Sequence, residues 1–293
     1  MKKKTKILNA FLLLLIFIFQ ISGCFREADK EEVPEIKNIK AFVSILPQAE
    51  LVRKIGGEQV EVSVLIPPGT TPEDYELSSG QLKALSEADV YFMVGHLPFE
   101  KAWYEKIKSV NPDLLIVDTS RDINIIDDNP HIWLSLKLAC LQADNVCKAL
   151  VRIDPENKSY YEENNKALKS ELKSIDEKIA GKFAGLKNKI FITYHPAWTY
   201  FAQDYGLKEI AIEEHGKEPT PQDIARIIKI ARENNVKTIF ATPQHSTRSA
   251  EAIAREINGK VELIDPLPSN YNYMLKVAEV LAQAMEAQKE NGR

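Results

Sequence analysis

Cysteine is scarce, and the three in this 293-residue chain cannot build the disulfide framework that holds small secreted scaffolds together. A basic excess is missing as well: 38 Lys and Arg stand against 42 Asp and Glu, a formal net charge of −4. The electrostatic footprint of a nucleic-acid-binding protein is therefore absent. Twelve Gly and 15 Pro, without a repeat, exclude a collagen-like chain, and 44% hydrophobic with 27% charged residues excludes a disordered one. No apolar run reaches the roughly 20 residues of a comfortable membrane-spanning helix. What is present is a composition that buries a core, at a length that favours two domains.

The N-terminus reads as a targeting segment. Lys2, Lys3, Lys4 and Lys6 form a basic region, Ala10 to Phe19 an apolar one, and Ile21-Ser22-Gly23 places small residues directly before Cys24. This is similar to the lipobox of bacterial-type lipoproteins, so residues 1–23 are expected to be removed and Cys24 lipidated. The body would then lie outside the cytoplasm on a lipid anchor, with 34 basic against 42 acidic residues, net −8. Residues 24–40, charged and interrupted by Pro34, read as a linker.

From Ala41 onward, β-branched runs alternate with amphipathic stretches. The runs 41–45, 60–66, 90–94 and 114–118 form one set and 189–194, 209–212, 237–241 and 261–264 a second. This is the signature of parallel βαβ units and predicts two α/β lobes, 41–153 and 188–293. Between them, Leu168, Leu172, Ile175, Ile179, Phe183 and Leu186 fall on one helical face. A helix from Pro155 to Leu186 would be about 48 Å long at 1.5 Å per residue. It would bridge the lobes over 154–187, with a break at Gly181 as the alternative.

Ligands of open α/β sheets bind beyond the carboxyl ends of the strands. His96, His195 and Asp265 stand there, Glu73 lies in the Pro- and Gly-rich loop after run 60–66, and His131 lies in a loop before a helix near Leu136. Three imidazoles and one or two carboxylates drawn from both lobes would make a site for a first-row divalent metal.

Five segments carry a resemblance: Ile66-Pro67-Pro68-Gly69-Thr70-Thr71-Pro72 with Tyr75-Glu76; Asn129-Pro130-His131-Ile132-Trp133-Leu134-Ser135; Tyr194-His195-Pro196-Ala197-Trp198; Gly216-Lys217-Glu218-Pro219-Thr220-Pro221; and Ile264-Asp265-Pro266-Leu267. With them the chain resembles the metal-binding solute receptors of ABC importers, the zinc/manganese ZnuA/TroA-like family. The resemblance implies a C-clamp of two lobes bridged by one long helix, with the metal between them and a membrane permease as partner. It implies a receptor and not an enzyme, acting as a monomer without nucleic acid. His131, His195 and Asp265 fit the second, third and fourth family ligands. The first is missing, because Glu73 follows Pro72 where the family carries His. The site can use Glu73, recruit His96 or stay open to water. Replacing imidazole by imidazole favours His96. His195 at the third position favours zinc, with manganese as the alternative, since manganese-selective members carry a carboxylate there.

Other features are read as peripheral. His215 and His245 are expected at the rim, and Cys140 and Cys147, about 10 Å apart along one helix, as unpaired small hydrophobes. Trp133 and Trp198 either pack the core or shield the metal. A metallohydrolase would need a base beside the ligands, for which Glu73 alone qualifies, and neither G-x-S-x-G nor H-E-x-x-H is present. A surface adhesin remains as an added role.

Overall fold

A computed structural model of the chain describes residues 38–73, 75–213 and 216–290. The targeting segment, Cys24 and His215 lie outside the described residues.

Two four-stranded parallel sheets follow one after the other. The first is built as β1 (Ile39–Val43), α1 (Leu46–Gly56), β2 (Val60–Val64), α2 (Ser79–Leu85), β3 (Val90–Met93), α3 (Pro98–Val110) and β4 (Leu115–Asp118). Helix α4 (Leu136–Ile153) and helix α5 (Lys158–Phe183) come next. The second sheet comprises β5 (Ile190–Thr193), α6 (Thr199–Tyr205), β6 (Lys208–Ala211), α7 (Pro221–Glu233), β7 (Thr238–Ala241), α8 (Arg248–Glu256) and β8 (Lys260–Leu263), and α9 (Tyr273–Glu290) closes the chain. Strand orders are β2-β1-β3-β4 and β6-β5-β7-β8, so each sheet reverses direction between its two central strands. Central strands β3 and β7 are buried at every residue, which is why they read as unbroken apolar runs and not as alternating ones.

Several boundaries differ from the sequence reading. Strand β1 begins at Ile39, inside the stretch read as linker, because Ile39 and Lys40 pair with Val60 and Glu61. The bridging segment opens with a 3-10 turn, Pro155–Asn157, preceded by Asp154, whose Oδ2 accepts from the side chains of Asn157 (Nδ2) and Tyr161 (Oη) at 2.7 Å each. Helix α5 then runs through Gly181, where no neighbour crowds the backbone, and stops at Ala184 and Gly185, whose φ of +77° ends the turn. Its 26 residues span about 39 Å. The short helix α6 has no counterpart in the sequence reading.

Helix α5 is bonded to both lobes. On one side Lys54 Nζ meets Glu171 at 2.6 Å and Asn164 Nδ2 donates to Ile55 O; on the other, Tyr205 Oη donates to Asp176 Oδ1 at 2.7 Å. The half-exposed ion pair contributes about 0.2–1 kcal/mol. Packing decides the matter: Leu168, Leu172, Ile175, Ile179 and Phe183 are all buried. Phe183→Ala alone would cost about 3–5 kcal/mol.

One apolar core runs from the first lobe through α5 and α9 to Phe191, Phe201 and Phe240 of the second, and a smaller core lies around Ile192, Ile227, Ile239 and Ile253. The lobes thus share a hydrophobic interior and do not merely touch. Cys140 and Cys147 are free thiols, and no helix among the described residues is long and apolar enough to cross a membrane.

Candidate metal centre

Backbone topology brings three side chains together. His195 stands two residues past β5, next to the point where the second sheet reverses, which is where open α/β sheets bind ligands. His131 ends a loop in which Asp127 and Asp128 adopt left-handed backbone, φ +47° and +57°. Tyr200 Oη donates to Asn129 O and accepts from Ile126 N, and Asn129 Nδ2 donates to Pro196 O, so this first-lobe loop is pinned onto the second lobe. Glu73 arrives on the long loop after β2. Gly69, at φ +79°, permits the loop's turn, and Gln81 Nε2 ties its base by donating to Leu65 O at 2.6 Å.

The three ligand-type atoms form a nearly equilateral triangle. His131 Nε2 lies 3.3 Å from His195 Nε2, His195 Nε2 lies 3.5 Å from Glu73 Oε1, and His131 Nε2 lies 3.6 Å from Glu73 Oε1. Ligands about 2.0–2.1 Å from a tetrahedral zinc are about 3.3 Å from one another. The spacing is therefore that of a first-row metal shell.

Each imidazole has its other nitrogen oriented. Asn129 presents its amide oxygen to His131 Nδ1 at 2.7 Å, because its amide nitrogen is spent on Pro196 O and Thr199 Oγ1. His131 Nδ1 must then carry the proton, and Nε2 the lone pair. His195 Nδ1 lies 3.3 Å from both oxygens of buried Glu213. Metal-bound histidines characteristically use such outer acceptors to fix the tautomer.

The charges agree with this geometry. Burial lowers the pKa of His131, and Glu73 only partly opposes it, so that ring is neutral. Burial works the same way on His195, but Glu213 and Glu73 overcome it and raise its pKa to about 9. Burial would raise Glu73, yet the two imidazoles hold its carboxyl well below the usual carboxylate range. A divalent cation at the triangle would take the place of the proton on His195 Nε2.

The remaining sequence candidates stand further out. His96 lines a cavity of about 380 Å³ whose wall includes Glu73, His131 and His195, but it is outside the group of ligand atoms lying within 4.8 Å of one another. So is Asp265, whose Oδ1 accepts from Gln244 Nε2 at 2.8 Å and Leu267 N at 2.9 Å. Two residues were underrated by sequence. His245 stacks on His195 with ring centroids 4.9 Å apart and planes 17° apart, and forms with His195 and Glu213 a second cluster of ligand-type atoms. Glu213 follows β6 by two residues, so the rule about strand ends could have found it. Trp133 packs in the core: it is buried, its Nε1 donates to Pro266 O at 2.6 Å, and its ring lies 5.0 Å from that of His131. Trp198 is buried and packs edge-on against Phe201.

A family model described as zinc-uptake complex component A, periplasmic, matches residues 42–286. The chain belongs to this family. Its relatives include the high-affinity zinc uptake system protein ZnuA of Bacillus subtilis, 27% identical over 94% of this chain and 96% of that protein. The manganese ABC transporter substrate-binding lipoprotein PsaA of Streptococcus mitis is 26% identical over 88% of this chain and 87% of its own. Among solved structures, a crystal structure of ZnuA superimposes with a TM-score of 0.82 at 41% identity, covering 85% of this chain and 99% of its own.

Proposed function

We propose that this chain is the extracytoplasmic receptor of an ABC importer, that it captures Zn²⁺ between its lobes, and that it delivers the ion to a membrane permease. Glu73 Oε1, His131 Nε2 and His195 Nε2 are the three protein ligands. The observation that carries this reading is the 3.3–3.6 Å triangle of their donor atoms, with both imidazoles held in the tautomer a metal requires. Two nitrogens and one carboxylate oxygen suit zinc better than manganese, which favours oxygen ligands. The zinc and manganese proteins named above support the same cargo class.

Zinc titration of the purified mature chain, with bound metal measured by mass spectrometry, tests the proposal. One tightly held zinc per chain is expected, without esterase or phosphatase turnover. Turnover with a metal that stays bound would make the protein a metallohydrolase instead.

Membrane attachment through Cys24 belongs to the same proposal. Cys24→Ala should move the protein from the detergent phase to the aqueous phase, or leave it unprocessed; a variant that partitions and is processed like wild type would remove the anchor from it.

A further inference from the structure

Beside the triangle lies a cavity of about 10 Å³, room for one water-sized occupant. Glu73, His131 and His195 line it, and so do Thr242 and Gln244. Thr242 follows β7 directly and is 2% exposed, and its Oγ1 has no partner among the described residues. Gln244 donates from Nε2 to Asp265 Oδ1 at 2.8 Å. Because a carboxylate oxygen only accepts, this bond fixes which end of the amide is which. Gln244 Oε1 is therefore an oriented acceptor, buried and also without a partner. Buried polar atoms are nearly always satisfied, and two unsatisfied oxygens on residues that line one cavity call for an occupant that donates twice.

Resting on the receptor reading above, we propose that Thr242 and Gln244 hold a water molecule bound to the captured metal, and that this water, not Asp265, completes the shell beside Glu73, His131 and His195. A metal-bound water is acidified and donates strongly through both hydrogens. Thr242 Oγ1 and Gln244 Oε1 are its two acceptors. Asp265 is then a positioning residue: it accepts an amide hydrogen of Gln244, leaves Oε1 for the water, and is itself held by Leu267 N. Asp265 does not line the cavity, whereas its neighbours Pro266 and Leu267 do.

The test uses the mature protein and three variants. Thr242→Val removes the hydroxyl at nearly constant shape. It should bind zinc on the order of tenfold more weakly, the scale of losses at outer-shell positions. Its metal-free form should melt at the same or a higher temperature, because an unsatisfied buried hydroxyl has gone. Thr242→Ser should recover wild-type affinity. Asp265→Asn keeps an oxygen acceptor for the amide and should stay within about threefold of wild type, which a position acting through Gln244 predicts. Deuterium ENDOR of the manganese-loaded wild type in D₂O should show a coordinated water. Wild-type affinity in Thr242→Val, an Asp265→Asn loss as large as that of His131→Ala, or no coordinated water would each overturn the proposal. If the wild type binds no zinc at all, the receptor reading itself falls, and this inference with it.

Discussion

His131 and His195 face each other Nε2 to Nε2 at 3.3 Å, across the junction of the two lobes. Asn129 and Glu213 hold them there from behind, and Glu73 closes the triangle from a third direction.

Ligand removal should follow the triangle. Glu73→Ala and His131→Ala are each expected to weaken zinc binding by roughly 100-fold or more, above the range for outer-shell positions, and Glu213→Gln by about 10–100-fold. His96→Ala should change it by less than about threefold, as for a residue outside the shell. A zinc-buffered competition dye gives the order; if His96→Ala matched His131→Ala, His96 would replace Glu73 as a ligand.

Protons should compete with the metal at His195. Its pKa is raised to about 9 in the metal-free protein from an ordinary 6.5, so its contribution to folding is complete below pH 6.5 and is lost as pH rises through 9. Glu73, lowered from 4.5, contributes above pH 4.5 and loses that contribution as pH falls below it. His131, lowered from 6.5, loses its contribution as pH falls below that value, so the metal-free melting temperature should be highest near pH 6.5 and decline toward pH 9–10, while the zinc-loaded protein stays level between pH 7 and 9. Calorimetry at pH 7 in two buffers of different ionisation enthalpy should find about one proton released per zinc bound. Zero release would contradict a charged His195.

Selectivity follows from the donor set. Zinc should bind tighter than manganese by about tenfold or more, less than a three-imidazole shell would give, since two imidazoles suit zinc and zinc stands above manganese in the divalent affinity order. Glu73→His should widen the gap by adding a third nitrogen. Equal constants for the two metals in competition calorimetry would remove zinc as the cargo.

Metal loading should act locally. The lobes share one apolar core and are bolted by α5 through Lys54–Glu171 and Tyr205–Asp176. Small-angle scattering should show little change in radius of gyration on zinc addition, with hydrogen exchange slowing in the loops around 125–131 and 195. A large compaction would contradict the shared core.

The sheets were legible because parallel strands buried on both faces leave continuous β-branched runs, and His195 because it sits where such a sheet points; His131, in a loop well past β4, stood out through the resemblance of its segment 129–135. Like-for-like replacement of an imidazole favoured His96 over Glu73, yet Glu73 and not His96 lies among the clustered ligand-type atoms. The choice depends on how the loop after β2 folds back over the sheet, and on the turn after β3, whose Val94 and Gly95 N–H groups are captured by buried Glu100. Neither path is written in a periodic pattern. Asn129 carries no such signal, because an outer acceptor is recognisable only once the imidazole it orients has been placed; Glu213, two residues past β6, does stand at a strand end. Asp265 stands one hydrogen bond behind the position its sequence neighbourhood suggested.

Unequal exposure gives the triangle one wet corner. The Glu73 side chain is 25% exposed, against 6% for His131 and 10% for His195. An ion held as proposed would meet solvent first at the carboxylate, so its release would begin with exchange of that donor.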